Sequence, residues 1–184
     1  LQKDQIYAVP IIHYNMEMAA QVKLTYELIQ PDCVAVELAE TMQLQLLHAA
    51  SRLPDISIVA SHNRDNLPIY YMSEPCDGAF EALRSALENG RPAYCIDLDV
   101  DFYPEIRELV PDPYAIQRIG LKAYYEAYRN VSLKKAIRSK VDQDRELYMA
   151  KRLKELAFSY EKVLFVGGML HVEEVLKLTD RNSF

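Results

Sequence analysis

The sequence lacks three features that would each have pointed to a particular class of protein. No apolar run approaches the roughly 18 residues that a membrane span needs, and no signal peptide is visible. Apart from the run KKAIRSK at 134–140, which we expect to be the solvated face of a helix, no stripe of lysine and arginine stands out, and the net charge of −6 argues against a nucleic-acid partner. Cys33, Cys76 and Cys95 form no C-x-x-C pair. Because Cys33 and Cys95 lie in strand-like runs, we expect these two to be small buried side chains in a reducing compartment, the cytoplasm.

The composition that remains suits one globular domain. The chain has 184 residues, and 50% of them are hydrophobic, which suffices for a sizeable core but leaves little room for a second domain. We therefore predict a single domain over residues 1–184. Because the chain starts at Leu1 rather than at methionine, it is also compatible with a fragment of a longer or membrane-attached protein.

Apolar runs alternate with segments of helical periodicity along the first hundred residues. This alternation predicts an α/β protein, a three-layer α/β/α fold with a mainly parallel sheet of four to five main strands. A tyrosine-rich stretch at about 103–159 has helical periodicity and no strand pattern, so we predict a helical insertion before the last βα unit. The predicted strands cover residues 5–13, 33–38, 56–60, 92–98 and 163–167, with a small extra strand at 69–72.

Ionisable residues stand where four of the predicted strands end. His13, Glu37 and His171 close three of them, and Asp97 and Asp99 close the fourth. The carboxyl ends of parallel strands emerge at one edge of a sheet, where ligands bind in such folds. Burying a charge there is costly unless it is paired or bound. We therefore expect these side chains to share one site.

Two kinds of chemistry suit two imidazoles and a carboxylate. His13, Glu37 and His171 could hold a divalent metal ion with open coordination positions. Without metal, a histidine could act as a general base, with Glu37 orienting it or activating water. Arg145 shares a helix face with the apolar Met149, so it faces inward and needs an anionic partner, either a substrate group or an acid such as Glu37.

The acidic run after the fourth main strand has two other interpretations. Asp97 and Asp99 resemble the nucleophile motif of haloacid-dehalogenase-like phosphatases, but the Gly-Thr that usually follows is missing. Asp97, Asp99, Asp101 and Glu108 also match calcium-loop spacing, but Phe102 occupies the position that requires glycine. We expect these acidic side chains either to border the shared site at the carboxyl edge of the sheet or simply to be solvated at the end of the strand.

The order of these motifs resembles a known superfamily over nearly the whole chain. A strand ending in histidine, P-D-x-V-x-V-E-L, R-[DE]-x-x-M-A and a strand closing on G-x-x-H are similar to the TraB/TIKI branch of the erythromycin-esterase and ChaN-like superfamily. One departure is Pro10, which stands where the first motif usually has glycine. The matching positions are His13, 31–38 with Glu37, Arg145-Glu146 to Met149-Ala150, and Gly168 to His171.

The resemblance implies a three-layer α/β/α fold and a site made of His13, Glu37, Arg145 and His171. The family includes metal-dependent proteases, macrolide esterases and a haem-binding lipoprotein. We therefore expect a hydrolase of an amide or ester in a small-molecule or peptide substrate. In it, His13, His171 and Glu37 bind a divalent metal or activate water, and Arg145 steadies the anionic transition state.

Two alternatives stay open at this stage. One is a binding module for haem or another small ligand, in which Tyr70 or Tyr71 near the cleft could supply an axial ligand. The other is a catalytically degenerate domain of a larger protein, consistent with Pro10 and with the start at Leu1. A homodimer is compatible with either.

Overall fold

The computed structural model describes residues 1–101, 110–135 and 137–180. The described strands are β1 (Gln2–Lys3), β2 (Ile6–Ile11), β3 (Cys33–Ala39), β4 (Ser57–His62), β5 (Pro68–Ser73), β6 (Ala93–Asp97) and β7 (Val163–Gly168). The described helices are α1 (Met16–Ile29), α2 (Gln43–Ser51), α3 (Gly78–Glu88), α4 (Ile116–Val131), α5 (Lys140–Ser159) and α6 (Val172–Leu178).

A five-stranded sheet in the order β1-β2-β7-β3-β6 forms the middle layer. Strands β2, β7, β3 and β6 are parallel, and only the short edge strand β1 is antiparallel. Strand β7 lies at the centre because it is apolar on both faces, as a strand covered from both sides must be. The predicted α/β class with a mainly parallel sheet is confirmed.

Alternate side chains of each central strand pack into two separate hydrophobic clusters. Val34 and Val36 of β3 face a layer that contains α1, α2, α3 and α4. Cys33 and Ala35 face the opposite layer, formed by α5 and α6. The sheet is therefore covered on both faces, which gives the three-layer α/β/α arrangement. Cys33 and Cys95 are fully buried free thiols, as expected for small apolar side chains.

The predicted third strand is not part of this sheet. Residues 56–60 and 69–72 correspond to β4 and β5, which pair with each other as a separate antiparallel hairpin. Burial alternates along both strands, with Val59 and Ser73 buried and Ile58 and Met72 exposed. A strand buried on one face only fits a surface ribbon rather than the middle of a covered parallel sheet. The short antiparallel strand β1 was not predicted.

The segment between β6 and β7 is helical in the part that the structure describes. It contains α4, α5 and short 3₁₀ turns at Pro113–Ala115 and Leu133–Lys135, with no strand in 110–135 or 137–159. The start of the predicted insertion, 103–109, lies outside the described residues. None of the described helices combines the length and the hydropathy that a membrane crossing requires.

Three helices, α1, α3 and α5, each begin at a side-chain cap near the carboxyl edge of the sheet. Asn15 accepts a hydrogen bond from the N–H of Met18 at the start of α1. Asp77 caps α3, and Ser139 forms a capping box with Asp142 at the start of α5. Helices that connect parallel strands run back across the sheet, so their first turns lie beside the strand ends. Side chains from both kinds of element therefore meet there.

Pro10 lies inside β2 without interrupting it. The carbonyl of Ile11 accepts a hydrogen bond from Met169 on the β7 side, whereas Ala8 bonds to Leu1 on the β1 side. Pro10 is two residues after Ala8, so its backbone nitrogen points to the same side as that of Ala8, toward the open edge beyond the short β1. Its missing N–H therefore removes no bond to β7, which is the setting in which strands tolerate proline.

Candidate active site

The carboxyl ends of β2, β3 and β7 surround an open cavity of about 400 Å³. Two imidazoles and one carboxylate line it: His13 after β2, His171 after β7 and Glu37 near the end of β3, with the phenol of Tyr128 on α4 beside them. The parallel directions of these strands bring together residues that are far apart in the chain. The other side chains that line it are mainly apolar and include Ile11, Ile12, Val110, Met169 and Leu170.

A buried carboxylate holds the imidazole of His13. Nδ1 of His13 lies 2.9 Å from Oδ2 of Asp77, whose side chain is only 1% exposed. Asp77 also accepts hydrogen bonds from the backbone N–H groups of Tyr14, at 3.0 Å, and Ala79, at 2.8 Å. An acceptor-only carboxylate requires Nδ1 to carry the proton, so Nε2 is the ring nitrogen left for the cavity. The His13 side chain is 36% exposed, so solvent can reach the ring.

His171 is held in the same way from the opposite layer. Its Nδ1 lies 3.0 Å from Oε1 of Glu146 on α5, and the whole group is buried. Glu146 in turn receives a hydrogen bond from Arg138 at 3.3 Å. Nε2 of His171 lies 3.7 Å from Oε1 of Glu37. Both histidines of the cavity are thus anchored through Nδ1 and present Nε2.

Glu37 is buried, and both of its oxygens accept hydrogen bonds. Nη2 of Arg145 donates to Oε1 at 2.8 Å, and the backbone N–H of Gly168 donates to Oε2 at 2.7 Å. These two bonds fix the plane of the carboxylate relative to His171. The residue before Gly168 is also a glycine, and a Cβ on this Gly167 would lie only 3.0 Å from Oε2 of Glu37.

Arg145 lies behind the cavity rather than at its surface. Its guanidinium forms hydrogen bonds of 2.6 to 3.1 Å with both oxygens of Asp97, in addition to the bond with Glu37. Nη1 also lies 3.7 Å from Oδ1 of Asp142, whose Oδ1 has no hydrogen-bond partner. One buried cation therefore holds three carboxylates in place. The sequence-based expectation that Arg145 meets an anion is confirmed, with Glu37 and Asp97 as its partners.

The pKa values of the two carboxylates bound to Arg145 are shifted in opposite directions. Burial by itself would raise the pKa of Glu37, but the positive charges of His171 and Arg145 outweigh burial and hold that pKa below its ordinary value. Burial raises the pKa of Asp97 to about 6 in spite of Arg145, and the negative charge of Glu37 adds to the rise. The site thus favours the ionised form of Glu37 and makes ionisation of Asp97 less favourable than in water.

Neighbouring carboxylates raise the pKa of both histidines. Burial opposes the charged form of His13, but the hydrogen bond and charge of Asp77 outweigh it and raise the pKa of the ring. Burial also opposes the charged form of His171, and Glu37 and Glu146 raise its pKa above the ordinary value. The pKa of Asp77 lies below its ordinary value, because the pairing with His13 outweighs the burial of the carboxyl.

The predicted metal ligands do not fit a three-ligand ion site in the described residues. No group of three His, Cys, Asp or Glu side chains there is arranged to hold an ion. Both oxygens of Glu37 accept hydrogen bonds, and Nη1 of Arg145 lies 3.4 Å from Nε2 of His171. A permanently charged guanidinium at that position repels a dication. A metal at His13, Glu37 and His171 stays a prediction of the sequence, and so does haem binding.

The structure separates other predicted residues from this cavity. Asp99 is exposed and accepts a hydrogen bond from Thr41, and Asp101 pairs with Arg64. Asp97, Asp99 and Asp101 therefore have different partners rather than one shared calcium loop, and Glu108 lies outside the described residues. Tyr70 and Tyr71, the suggested haem ligands, belong to β5 and do not line the cavity.

Sequence reasoning missed Asp77 and Glu146 as partners of the two histidines. Asp77 caps α3 and also holds His13, and this second role was not predicted. The topology could have indicated this contact. A helix that leads back to a parallel strand begins at the carboxyl edge of the sheet, and His13 was expected at the same edge. Glu146 stands next to Arg145 in a motif that was recognised, yet only the arginine was assigned to the site.

Comparison with family models found no match for this chain, and searches of curated proteins and of solved structures found none either. The resemblance to the TraB/TIKI branch therefore stays a prediction that rests on the motifs alone.

Proposed function

We propose that the protein hydrolyses an ester or amide bond by metal-free general acid–base catalysis at the His13–Glu37–His171 cavity. The observation that carries this proposal is the pair of imidazoles, His13 and His171. Each is anchored through Nδ1 by a buried carboxylate, and both line one solvent-open cavity with Glu37. Structural histidines need no such shared opening, whereas catalytic ones need a fixed tautomer and access to substrate.

His13 is the general base in this mechanism. Its Nδ1–H donates to Asp77, so the lone pair of Nε2 accepts a proton from a water molecule in the cavity. The water oxygen then forms a bond to the carbonyl carbon of the substrate. His13 is better suited than His171 to receive this proton because its side chain is 36% exposed, against 8% for His171.

His171 stabilises the negative charge that develops on the carbonyl oxygen. Glu37 and Glu146 raise the pKa of His171, so they favour the imidazolium, which can donate from Nε2. When the tetrahedral intermediate collapses, the bond to the leaving alcohol or amine breaks, and the proton held by His13 passes to that leaving group. Proton and charge therefore balance without a further reactant.

Glu37 and Arg145 act as positioning residues in this proposal. The carboxylate of Glu37 lies 3.7 Å from Nε2 of His171 and keeps the ring charged and oriented. Arg145 holds Glu37 and does not line the cavity, so in this proposal it acts through Glu37 rather than on the substrate. This role differs from the transition-state role expected from the sequence. The apolar side chains around the opening favour substrates with an apolar group beside the scissile bond.

The test is a screen with chromogenic esters and fluorogenic amides, followed by variants of the cavity residues. We expect His13→Ala to lower kcat/KM at least about a hundredfold on any substrate that is cleaved, as general-base catalysis contributes that much. Glu37→Gln should also lower it, because the charge that raises the pKa of His171 is lost. His48→Ala is the matched control, because His48 is exposed on α2 and does not line the cavity. No hydrolysis across the panel, or equal rates in the variants, would contradict the proposal.

Metal dependence is tested on the same preparations. Elemental analysis of protein purified without chelator should find less than stoichiometric metal, and dialysis against EDTA should leave the rate unchanged. Loss of activity on dialysis that returns with one divalent ion would replace the metal-free version by the metal-dependent one.

A further inference from the structure

Basic side chains from three segments of the chain line a second cavity, between α4 and α6. Its volume is about 250 Å³, below the range of about 300–1,000 Å³ that is usual for drug-sized ligands, so its size suits a small ligand. Among the described residues, four cations line it: Arg129 of α4, Lys134 and Arg138 of the connection to α5, and Lys177 of α6. In a chain of net charge −6, such a concentration of positive charge needs a reason.

The basic run KKAIRSK at 134–140, expected to be the solvated face of a helix, does not form one helix in the described residues. Leu133–Lys135 is a 3₁₀ turn, and α5 begins only at Lys140, after its cap Ser139. The backbone at 137–139 between these elements is not helical. Lys134 and Arg138 both line the cavity. The run therefore contributes cations to a concave surface rather than to a helix face.

Positive charge exceeds negative charge in the lining of this cavity. Glu173 and Glu174 are the acidic residues among the described side chains that line it, against four cations, so the formal charge of this lining is +2. Glu146 lies behind Arg138, outside the lining, and is itself paired with His171. An anion that enters the cavity therefore meets a surplus of positive charge.

The two glutamates orient the arginines without using all of their donors. Nε of Arg129 lies 2.7 Å from Oε2 of Glu173, and Nη1 of Arg138 lies 3.2 Å from Oε2 of Glu174. A guanidinium has five N–H donors, so these contacts use only part of each group. Lys134 donates to Oδ1 of Asn130 at 2.9 Å and has no carboxylate partner among the residues that the structure describes. Donors thus remain for a further acceptor.

We propose that this cavity binds a tetrahedral oxyanion of double charge, as inorganic phosphate or as the phosphoryl group of a phosphate monoester. A phosphate monoester carries a charge of about −1.5 to −2 at pH 7, which matches the surplus of two positive charges in the lining. Its three free oxygens accept hydrogen bonds from several sides, as guanidinium and ammonium groups of three chain segments can donate them. A carboxylate has a single charge and two oxygens, so it would leave part of the cluster unmatched.

The basic cavity adjoins the proposed active site. Leu170 lines both cavities, and Arg138 donates to Glu146, the carboxylate that holds His171. The phosphoryl group could therefore belong to a molecule that also reaches the active site, or be free phosphate. Binding of either can be measured without turnover, so the test is independent of the proposed hydrolysis.

Isothermal titration calorimetry of the full chain with sodium phosphate tests the site, in about 0.15 M sodium chloride to screen surface charge. We expect one phosphate per chain with a Kd below about 1 mM, and acetate should bind at least about tenfold more weakly. Lys134→Gln should weaken phosphate binding at least about tenfold, because a hydrogen bond to a charged group is lost. Lys151→Gln is the matched control, since Lys151 is exposed on α5 and does not line the cavity.

Removal of a negative charge from the lining should have the opposite effect. Glu174→Gln raises the formal charge of the lining and frees Arg138 from one partner, so phosphate should bind about threefold more tightly or better. Glu27→Gln changes the net charge of the chain equally, but Glu27 lies on α1 outside the cavity, so it should leave the Kd unchanged. Circular dichroism verifies that each variant is folded.

Phenyl phosphate distinguishes the two sources of the phosphoryl group. Tighter binding of phenyl phosphate than of inorganic phosphate assigns the site to a phosphate monoester, and equal affinity assigns it to the free anion. Backbone amide NMR locates the ligand, and the largest shift changes should fall on Lys134, Arg138 and the first turn of α6. A phosphate Kd above about 10 mM, equal affinities of Lys134→Gln and Lys151→Gln, or shift changes confined to other parts of the chain overturn the proposal.

Discussion

At the scale of single residues, the site depends on a small number of buried charges that compensate one another. Arg145 is the cation that Glu37 and Asp97 share, and Asp77 and Glu146 each hold one imidazole. A buried ion pair contributes little net stability, but removing one partner leaves an uncompensated charge that is costly. Single substitutions in this network should therefore affect stability and chemistry together.

Replacing Arg145 with methionine tests the shared cation. We expect Arg145→Met to lower the free energy of unfolding by about 3–5 kcal/mol at pH 7, because two buried carboxylates lose their partner. Urea denaturation measures this change. Arg64→Met is the matched control, since Arg64 also pairs with an aspartate but its side chain is 89% exposed. An equal effect of the two substitutions would contradict the assignment.

Replacing Asp77 with asparagine separates its two roles. Asparagine is also a good helix cap, so α3 should keep its start, whereas the charge that raises the pKa of His13 is lost. We expect the pKa of His13 to fall and the proton to move from Nδ1 to Nε2, because the amide NH₂ of asparagine donates. Nitrogen-15 NMR of the imidazoles reports both changes.

The control for this substitution is Asp99→Asn, which changes an exposed aspartate at another strand end. It should leave the titration of His13 as it is in the wild-type protein. The interpretation of Asp77 as a positioning residue fails if Asp77→Asn also leaves the titration of His13 unchanged. This readout needs no substrate, so it is independent of the proposed hydrolysis.

At the scale of elements, strand ends and helix starts converge on one edge of the sheet. Strands β2, β3 and β7 deliver His13, Glu37 and His171. The cap of α3 and the second turn of α5 deliver the carboxylates that hold the two histidines. The close approach of β3 and β7 requires small residues at the end of β7. On its other edge, β7 pairs with β2, where Gly167 lies opposite Pro10. Steric room at this point is therefore part of the site.

An alanine at position 167 tests that steric requirement. A Cβ there would lie 2.7 Å from the ring of Phe165, which is fully buried, and 3.0 Å from Oε2 of Glu37. We expect Gly167→Ala to destabilise the fold by roughly 1–3 kcal/mol, the usual cost of overpacking, and to displace Glu37. Thermal or urea unfolding measures it. Gly168→Ala is the comparison, because its nearest neighbour would be at an ordinary 3.4 Å. A larger loss in Gly168→Ala would refute the steric account.

At the scale of the whole molecule, the shifted pKa values make stability depend on pH. The lowered pKa values of Glu37 and Asp77 stabilise the fold above their ordinary pKa range, about 4, and this contribution is lost as pH falls through the folded values. The raised pKa values of His13 and His171 stabilise it below about 6.5, and this contribution is lost as pH rises through the folded values. The pKa of Asp97, raised to about 6, makes its ionisation destabilising.

These signs place maximal stability on the acidic side of neutrality. We expect the free energy of unfolding to be higher at about pH 5 than at about pH 9, since both histidines and Asp97 lose protons over this range. Urea denaturation at a series of pH values measures the profile. In His171→Gln the difference between the two pH values should shrink. A wild-type stability that rises steadily from pH 5 to pH 9 would be evidence against this charge arrangement.

The α/β class and the central strands of the main sheet could be predicted from the amino-acid sequence alone. These features follow from the alternation of apolar runs with segments of helical periodicity. The sequence also placed His13, Glu37 and His171 at one edge, because parallel strands share a direction. Local patterns are sufficient for such features since they depend on neighbours in the chain.

Contacts between side chains from distant parts of the chain became known only from the three-dimensional fold. The pairing of Asp77 with His13 and of Asp97 with Arg145 joins residues 64 and 48 positions apart, and no periodicity encodes such distances. The separation of β4 and β5 from the main sheet likewise depended on which face each strand could bury. Pairing between distant segments is set by packing of the whole layer arrangement, which a single sequence does not display.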